Sequence, residues 1–368
     1  MTAKTSGTTA IAVLLGTLAL WQASARGQQA PARPSGATAT VPRTADGHPD
    51  LQGTYDVATM TQVERAPAFN GRLSIPVEEA RRIEAAAAAR TARANGQDSG
   101  NRSAPPIGGD GSTGAAGGVG GYNAFWIDSG DSFIVIDGQA RTSIVVDPSN
   151  GRIPPLTASA RARQAAARSQ PTSDQAESGG DVGLETAAGA YDDPERRPLG
   201  ERCLLGFGST SGPPALPVLY NNLHQIVQTK DTVVILNEMD HDARIVRMNS
   251  KHQSAAVRNW MGDSIGWWDG DTLVVETTNF TSKTRFRGST DKLKVTERFS
   301  RIDARTLLYR FTVEDPETWT QAWTGEYTWP QTGDLLYEYA CHEANYALGN
   351  ILRGARQREA DAKKGSGR

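Results

Sequence analysis

Thr318-Trp319-Thr320-Gln321-Ala322-Trp323-Thr324-Gly325-Glu326-Tyr327-Thr328-Trp329 is the stretch that decides the fold. Trp319, Trp323, Tyr327 and Trp329 share one parity, while Thr318, Thr320, Thr324, Glu326 and Thr328 hold the other. In extended backbone successive side chains point to opposite faces, so this pattern makes a strand with one aromatic face. The same alternation runs through residues 219–342. It predicts strands over 220–228, 232–239, 243–248, 264–268, 272–280, 293–302, 306–313, 318–329 and 335–341. Turn chemistry separates them, at Lys230-Asp231, Asp240 to Asp242, Asp269-Gly270-Asp271, Asp303-Ala304, Asp315-Pro316 and Gln331 to Asp334. Short turns at such regular spacing mean an antiparallel meander, and a meander left open exposes two edges that invite aggregation. The expected fold is therefore mainly β, an antiparallel meander closing into a calycin- or lipocalin-like barrel with peripheral helices and long loops. A flattened sandwich is the alternative.

Upstream the pattern is less regular. Lys4, the apolar run from Ala10 to Trp21 and Ala23-Ser24-Ala25 have the three parts of a secretory signal peptide, over residues 1–25. Residues 26–45, rich in Ala, Pro and Thr, form a disordered linker. Residues 46–200 are expected to form a β/α segment with flexible inserts. It opens with a strand at Asp50 to Tyr55 and continues into a helix from Pro76 to about Ala94, with Glu78 and Glu79 at its positive end. Glycine, serine and asparagine dominate from Asn95 to Gly121, a flexible loop. Asp137-Gly138, between the runs 133–136 and 142–146, signals a hairpin. Thr157 caps a helix to about Arg168, and 169–189 is again loop. Residues 201–342 hold the barrel, and 343–368 a C-terminal helix packing on Tyr346, Leu348, Ile351 and Leu352, then a charged tail.

The formal net charge is -2 at pH 7. Loss of Lys4 with the signal shifts it by one unit, so nothing attracts nucleic acid. No long apolar segment follows the signal, which predicts a periplasmic or secreted chain without stable membrane insertion. The chain has two cysteines, Cys203 and Cys341, and an even pair in an oxidising compartment points to a disulfide.

The runs Gly47-His48-Pro49-Asp50-Leu51-Gln52-Gly53-Thr54-Tyr55, Trp260-Met261-Gly262-Asp263-Ser264, Trp268-Asp269-Gly270-Asp271-Thr272-Leu273-Val274-Val275 and Tyr337-Glu338-Tyr339-Ala340-Cys341-His342-Glu343 resemble a family of secreted bacterial hypothetical proteins. The resemblance covers Asp46 to Arg356 and implies export and a shared fold, with no activity to carry over. Gly53-Thr54-Tyr55 also resembles the G-x-W of the first lipocalin strand, with tyrosine in place of tryptophan and far upstream of the regular meander.

Residues able to carry chemistry fall in few places. Glu238-Met239-Asp240-His241-Asp242 lies between two apolar strands, which puts His241 on a hairpin at a barrel rim. There Asp242 or Glu238 would orient the imidazole as a general acid/base, or the segment is a solvated turn with capping aspartates. His342 and Glu343 follow Cys341, where a disulfide would hold them firmly. Tyr346 stands where H-E-x-x-H needs its second histidine, and an open zinc site from His241, His342 and Glu238 or Glu343 is allowed without being required. No metal and no organic cofactor is expected. Gly208 to Gly212 has Thr210 at the position of a hydrolase serine, and no helix follows Gly117 to Gly121 to bind phosphate.

Tyr220, Asn222, His224 and Gln228 share one parity, a polar face turned either to water or into a wet cavity where it would orient a ligand. Trp319, Trp323, Tyr327 and Trp268 offer ring surface, as core or as the wall of a ligand cavity. Glu276, Glu297, Arg298 and Arg310 sit in strands and should mostly face outward; Arg310 or Arg287 turned inward would anchor an anion. The leading expectation is a barrel that binds a small apolar or aromatic molecule. Its rivals are a cofactor-independent lyase, isomerase or hydrolase using a His/carboxylate pair, and a structural envelope protein with a solid core.

Overall fold

The computed structural model describes residues 41–97, 128, 130–169, 191–206, 212–284, 286–343 and 345–365. The expected signal, most of the linker, much of both glycine-rich loops and Gly208 to Ser211 lie outside them. In chain order the strands are β1 (Gly53–Asp56), β2 (Ser74–Pro76), β3 (Val135–Ile136), β4 (Gln139–Arg141), β5 (Val145–Asp147), β6 (Leu223–Gln228), β7 (Thr232–Asn237), β8 (Ala243–Met248), β9 (Asp263–Asp269), β10 (Thr272–Thr278), β11 (Lys294–Arg301), β12 (Thr306–Glu314) and β13 (Trp323–Thr332). The longer helices are α1 (Val77–Gln97), α2 (Ala158–Ser169) and α3 (Tyr346–Gly365).

Among the described residues, β6 to β13 pair in chain order and β1 closes the ring between β6 and β13. Tyr55 lies opposite His224 on one side and Gln331 on the other. The protein is a mainly β structure, a closed nine-strand barrel that is mostly antiparallel. The alternation behind the expected fold appears directly as burial: every second residue of β7 and β12 is covered. Closure removes both edges of the meander itself.

Two features depart from a simple meander. β8 and β9 run parallel, with Val246 opposite Ser264. A parallel pair cannot be joined by a tight hairpin, so residues 249–262 cross between them. His252 ties that crossing down, its Nδ1 3.0 Å from Asp263 Oδ2 and its Nε2 3.2 Å from Glu276 Oε1. The expected strand at 335–341 is absent; the side of β13 away from β12 is taken by β5 at Thr324 and Gly325 and by β1 at Gln331 and Thr332. That segment instead leaves the barrel, with Leu335 and Tyr337 exposed, to reach the Cys203–Cys341 disulfide. The bridge spans 138 residues with a Cα–Cα distance of 5.7 Å.

β13 starts at Trp323 rather than at Thr318. Asp315 holds the preceding residues in a turn, its Oδ2 accepting from Thr318 Oγ1 at 2.7 Å and its backbone oxygen from the Trp319 N–H at 3.0 Å. Inside the barrel Trp323, Tyr327 and Trp329 are fully buried beside Phe299, Tyr309 and Phe311. Gly325 completes this face because Phe311 covers it; a Cβ there would lie 2.2 Å from the Phe311 ring.

The smaller parts pack outside. β5 extends the sheet beside β13, and β2, β4 and β3 form a separate sheet under α1 around Ile75, Ala80, Phe133 and Ala140. Asp137-Gly138 forms a hairpin with φ of 52° and 72° at its two turn residues, pairing β3 with β4 (Gln139–Arg141) rather than with the expected run 142–146. Thr157 caps α2, its Oγ1 accepting from the Ala160 N–H at 3.0 Å. No helix among the described residues is long and apolar enough to cross a membrane.

Candidate functional site

The polar interior is built by residues that break the apolar parity of their strands. Arg244 shares a face with Val246, Glu297 with Val295 and Phe299, and Tyr309 with Leu307 and Phe311, so all three turn inward. Glu297, expected with the outward-facing charges, is fully buried. Arg244 meets it with both terminal nitrogens, one at 2.9 Å from Oε1. The Tyr309 hydroxyl donates to the same Oε1 at 2.7 Å. A buried ion pair survives only when its remaining hydrogen-bonding capacity is met. Burial pushes the Arg244 pKa down, and the Glu297 carboxylate more than reverses it, so the guanidinium stays charged. Burial and the nearby Glu297 charge push Tyr309 well above its usual range, which keeps its proton in place.

His224 also turns inward. Its Nδ1 lies 2.7 Å from Asn237 Oδ1 and its ring stacks on Trp329 at 4.8 Å. With the Asn237 oxygen as acceptor, Nδ1 carries the proton and Nε2 remains an acceptor. Burial, with a smaller push from Arg244, depresses its pKa to about 4, so the ring is neutral at pH 7. Asn237 Nδ2 is buried without a hydrogen-bond partner. Gln228, of the same parity, is spent on structure, its Oε1 accepting from the Leu51 N–H at 2.9 Å. The wall opposite is aromatic: Tyr309 lies 4.9 Å from both Phe299 and Trp329, and Trp329 meets Phe299 edge to face at 5.5 Å.

Residues 212–217 lie over these rings, with Ala215 and Leu216 buried. The Ala215 N–H donates to Tyr309 Oη at 3.1 Å, and the Tyr327 hydroxyl donates to the Ala215 carbonyl at 3.0 Å. Asn222 fastens the segment downstream, accepting from the Val218 N–H at 2.8 Å and donating to the Val218 and Asp128 carbonyls.

The hairpin 238–242 does form a rim between β7 and β8, with Asp240 and His241 both at positive φ. His241 is exposed there. Glu238 is buried and its Oε1 accepts from the Tyr337 N–H at 3.2 Å. Burial raises the Asp240 and Asp242 carboxyls to about 6, with Asp242 adding to the effect on Asp240. Each carboxyl keeps one buried oxygen, Oδ2, without a partner. His342 and Glu343 are exposed beyond the disulfide. Among the described residues no three His, Cys, Asp or Glu side chains are grouped to hold a metal ion.

The remaining candidates are dispersed. Tyr220 lines a cleft of about 440 Å³ with Tyr339, Cys341, Asn345 and Leu348, between the disulfide and α3. Trp268 stacks flat on His48 at 4.5 Å. Trp319 meets Trp323 edge to face at 6.0 Å. Arg287 lies over Phe286, 5.9 Å from its centroid, and burial lowers its pKa. Arg310 faces outward to Glu326 at 3.1 Å. The structure thus brings His224, Trp323 and Tyr327 into the barrel and leaves the two rim and tail histidines outside it. Arg244, Asn237 and Tyr309 were missed. Their signal was a polar group at an apolar position of the strand.

The closed barrel agrees in outline with the lipocalin-like resemblance. Compared with family models, curated proteins and solved structures, the chain matches none.

Proposed function

We propose that this chain is an exported barrel protein that binds a small, largely apolar or aromatic molecule inside the barrel. The observation that carries this reading is the unpartnered Asn237 Nδ2, buried beside His224, whose ring stacks on Trp329. A buried donor without an acceptor costs about 1–3 kcal/mol, which a ligand oxygen would recover. The aromatic wall supplies apolar area at little entropic cost. Export is supported by the disulfide, since such bridges persist where the surroundings are oxidising.

A titration of tryptophan emission and melting temperature against a panel of small aromatic carbonyl compounds tests it. Saturable changes are expected, weakened about tenfold by Asn237→Leu. A panel that moves neither signal rejects the reading. Export is tested separately by fractionation and N-terminal sequencing; a mature chain beginning at Arg26 is expected, and one retained inside the cell with Met1 rejects it.

A second reading, a cofactor-independent lyase, isomerase or hydrolase, draws support from Asp240 and Asp242. Carboxyls poised at about 6 beside His241 suit proton transfer near neutrality. Conversion of a bound panel compound, lost in His241→Asn and Asp242→Asn, would carry it. Recovery of every bound compound unchanged rejects it.

A further inference from the structure

The barrel interior already holds one occupant, its own backbone. Tyr309 and Tyr327 are directly opposite on β12 and β13, with ring centroids 5.3 Å apart. The Tyr309 proton is committed to Glu297, so toward the interior its oxygen can only accept; the Tyr327 hydroxyl donates. The pair therefore presents one acceptor and one donor, a fixed complement to an N–H and a C=O. Ala215 supplies both, from either side of a single Cα. Its neighbours Pro213, Pro214 and Pro217 have no N–H, so Ala215 and Leu216 alone among residues 213–217 can donate.

We infer that residues 212–217 are a displaceable plug occupying the ligand site, and that the ligand repeats the plug's unit, an N–H and a C=O flanking one carbon. The ligand class is an N-acylated amino acid or a short peptide with an apolar or aromatic side chain. This rests on the barrel-binding reading above and specifies the chemistry of the same site. Displacement exchanges like for like at the tyrosines, so affinity comes from the side chain that replaces Ala215 against the aromatic wall.

The probes are N-acetyl-L-phenylalaninamide and its ester isostere, in which oxygen replaces the acylated N–H, measured on the full chain by calorimetry. The amide should bind about tenfold tighter than the ester, the worth of one buried hydrogen bond. Ala215→Pro, which removes the plug's donor, should tighten the amide by a similar factor. Tyr309→Phe should erase the difference between amide and ester. In wild-type protein the amide should also speed hydrogen exchange at the Ala215 and Leu216 amides, a readout that needs no variant to fold. Equal binding of amide and ester, or unchanged exchange at Ala215 under saturating amide, overturns the inference. If naphthalene binds and neither acylated probe does, the plug inference falls and the barrel-binding reading stands; if no probe binds, both fall.

Discussion

Arg244 on β8 and Glu297 on β11 meet across the barrel interior, although β9 and β10 separate their strands in the sheet. They are 4% and 0% exposed, so neither charge has access to water as an alternative partner. The contact is an internal strut, fixing the spacing of the two walls.

Removing one end of the strut should cost more than removing both. Glu297→Gln leaves a buried guanidinium without its counter-charge and is expected to lose about 3–5 kcal/mol in urea unfolding. The double variant Arg244→Met/Glu297→Leu should recover most of that loss. A double variant no more stable than Glu297→Gln would show that the pair is needed for more than mutual neutralisation.

Gly325→Ala tests the packing of the aromatic wall. The added Cβ would lie 2.2 Å from the Phe311 ring, an overlap expected to cost about 1–3 kcal/mol. Because the clash is with one ring, Phe311→Leu should remove most of it, giving a coupling above about 1 kcal/mol in a double-mutant cycle. Additive losses would place the strain elsewhere.

Acid stability should carry the signature of His224. Its folded pKa of about 4 lies below the ordinary 6.5, so in that window the unfolded chain binds more protons and stability falls as pH falls. The full effect is about 3 kcal/mol by pH 4. His224→Gln should flatten the wild-type curve over this range. Asp240 and Asp242 act oppositely: their raised pKa values make the folded state the stronger proton binder between about 4 and 6, so they destabilise it above that window. Asp240→Asn/Asp242→Asn should therefore gain stability at pH 7 relative to pH 4. Chemical denaturation at half-unit pH steps separates the two.

Loss of the disulfide should be felt mostly by the unfolded state. Closing a loop of 138 residues removes chain entropy worth about 3–5 kcal/mol. Cys203→Ser/Cys341→Ser is expected to lower the urea midpoint accordingly, leaving near-ultraviolet dichroism from the barrel aromatics unchanged. A collapse of that signal would mean that the bridge also positions the core.

Much of the barrel was legible because its information is local. The parity of Trp323, Tyr327 and Trp329 follows from adjacent residues, and Asp137-Gly138 and Thr157 encode their turn and cap over a few positions. What escaped was relational. Nothing near Met248 or Asp263 tells β8 and β9 to run parallel, and the residues of 335–341 alternate well enough for a strand that has no neighbour to pair with. Glu297 reads as a solvated charge until Arg244 is set beside it, since alone it has no reason to turn inward.

The position of β1 has a consequence for how the molecule matures. This stave is made among the first of the ordered strands, yet its two neighbours include the last, so the ring cannot be sealed until residue 332 is available. Until then β1 keeps an open edge toward β13, even once its other side has paired with β6. The barrel therefore closes at one seam, between β1 and β13, and every stave made before Thr332 can pair without completing the ring.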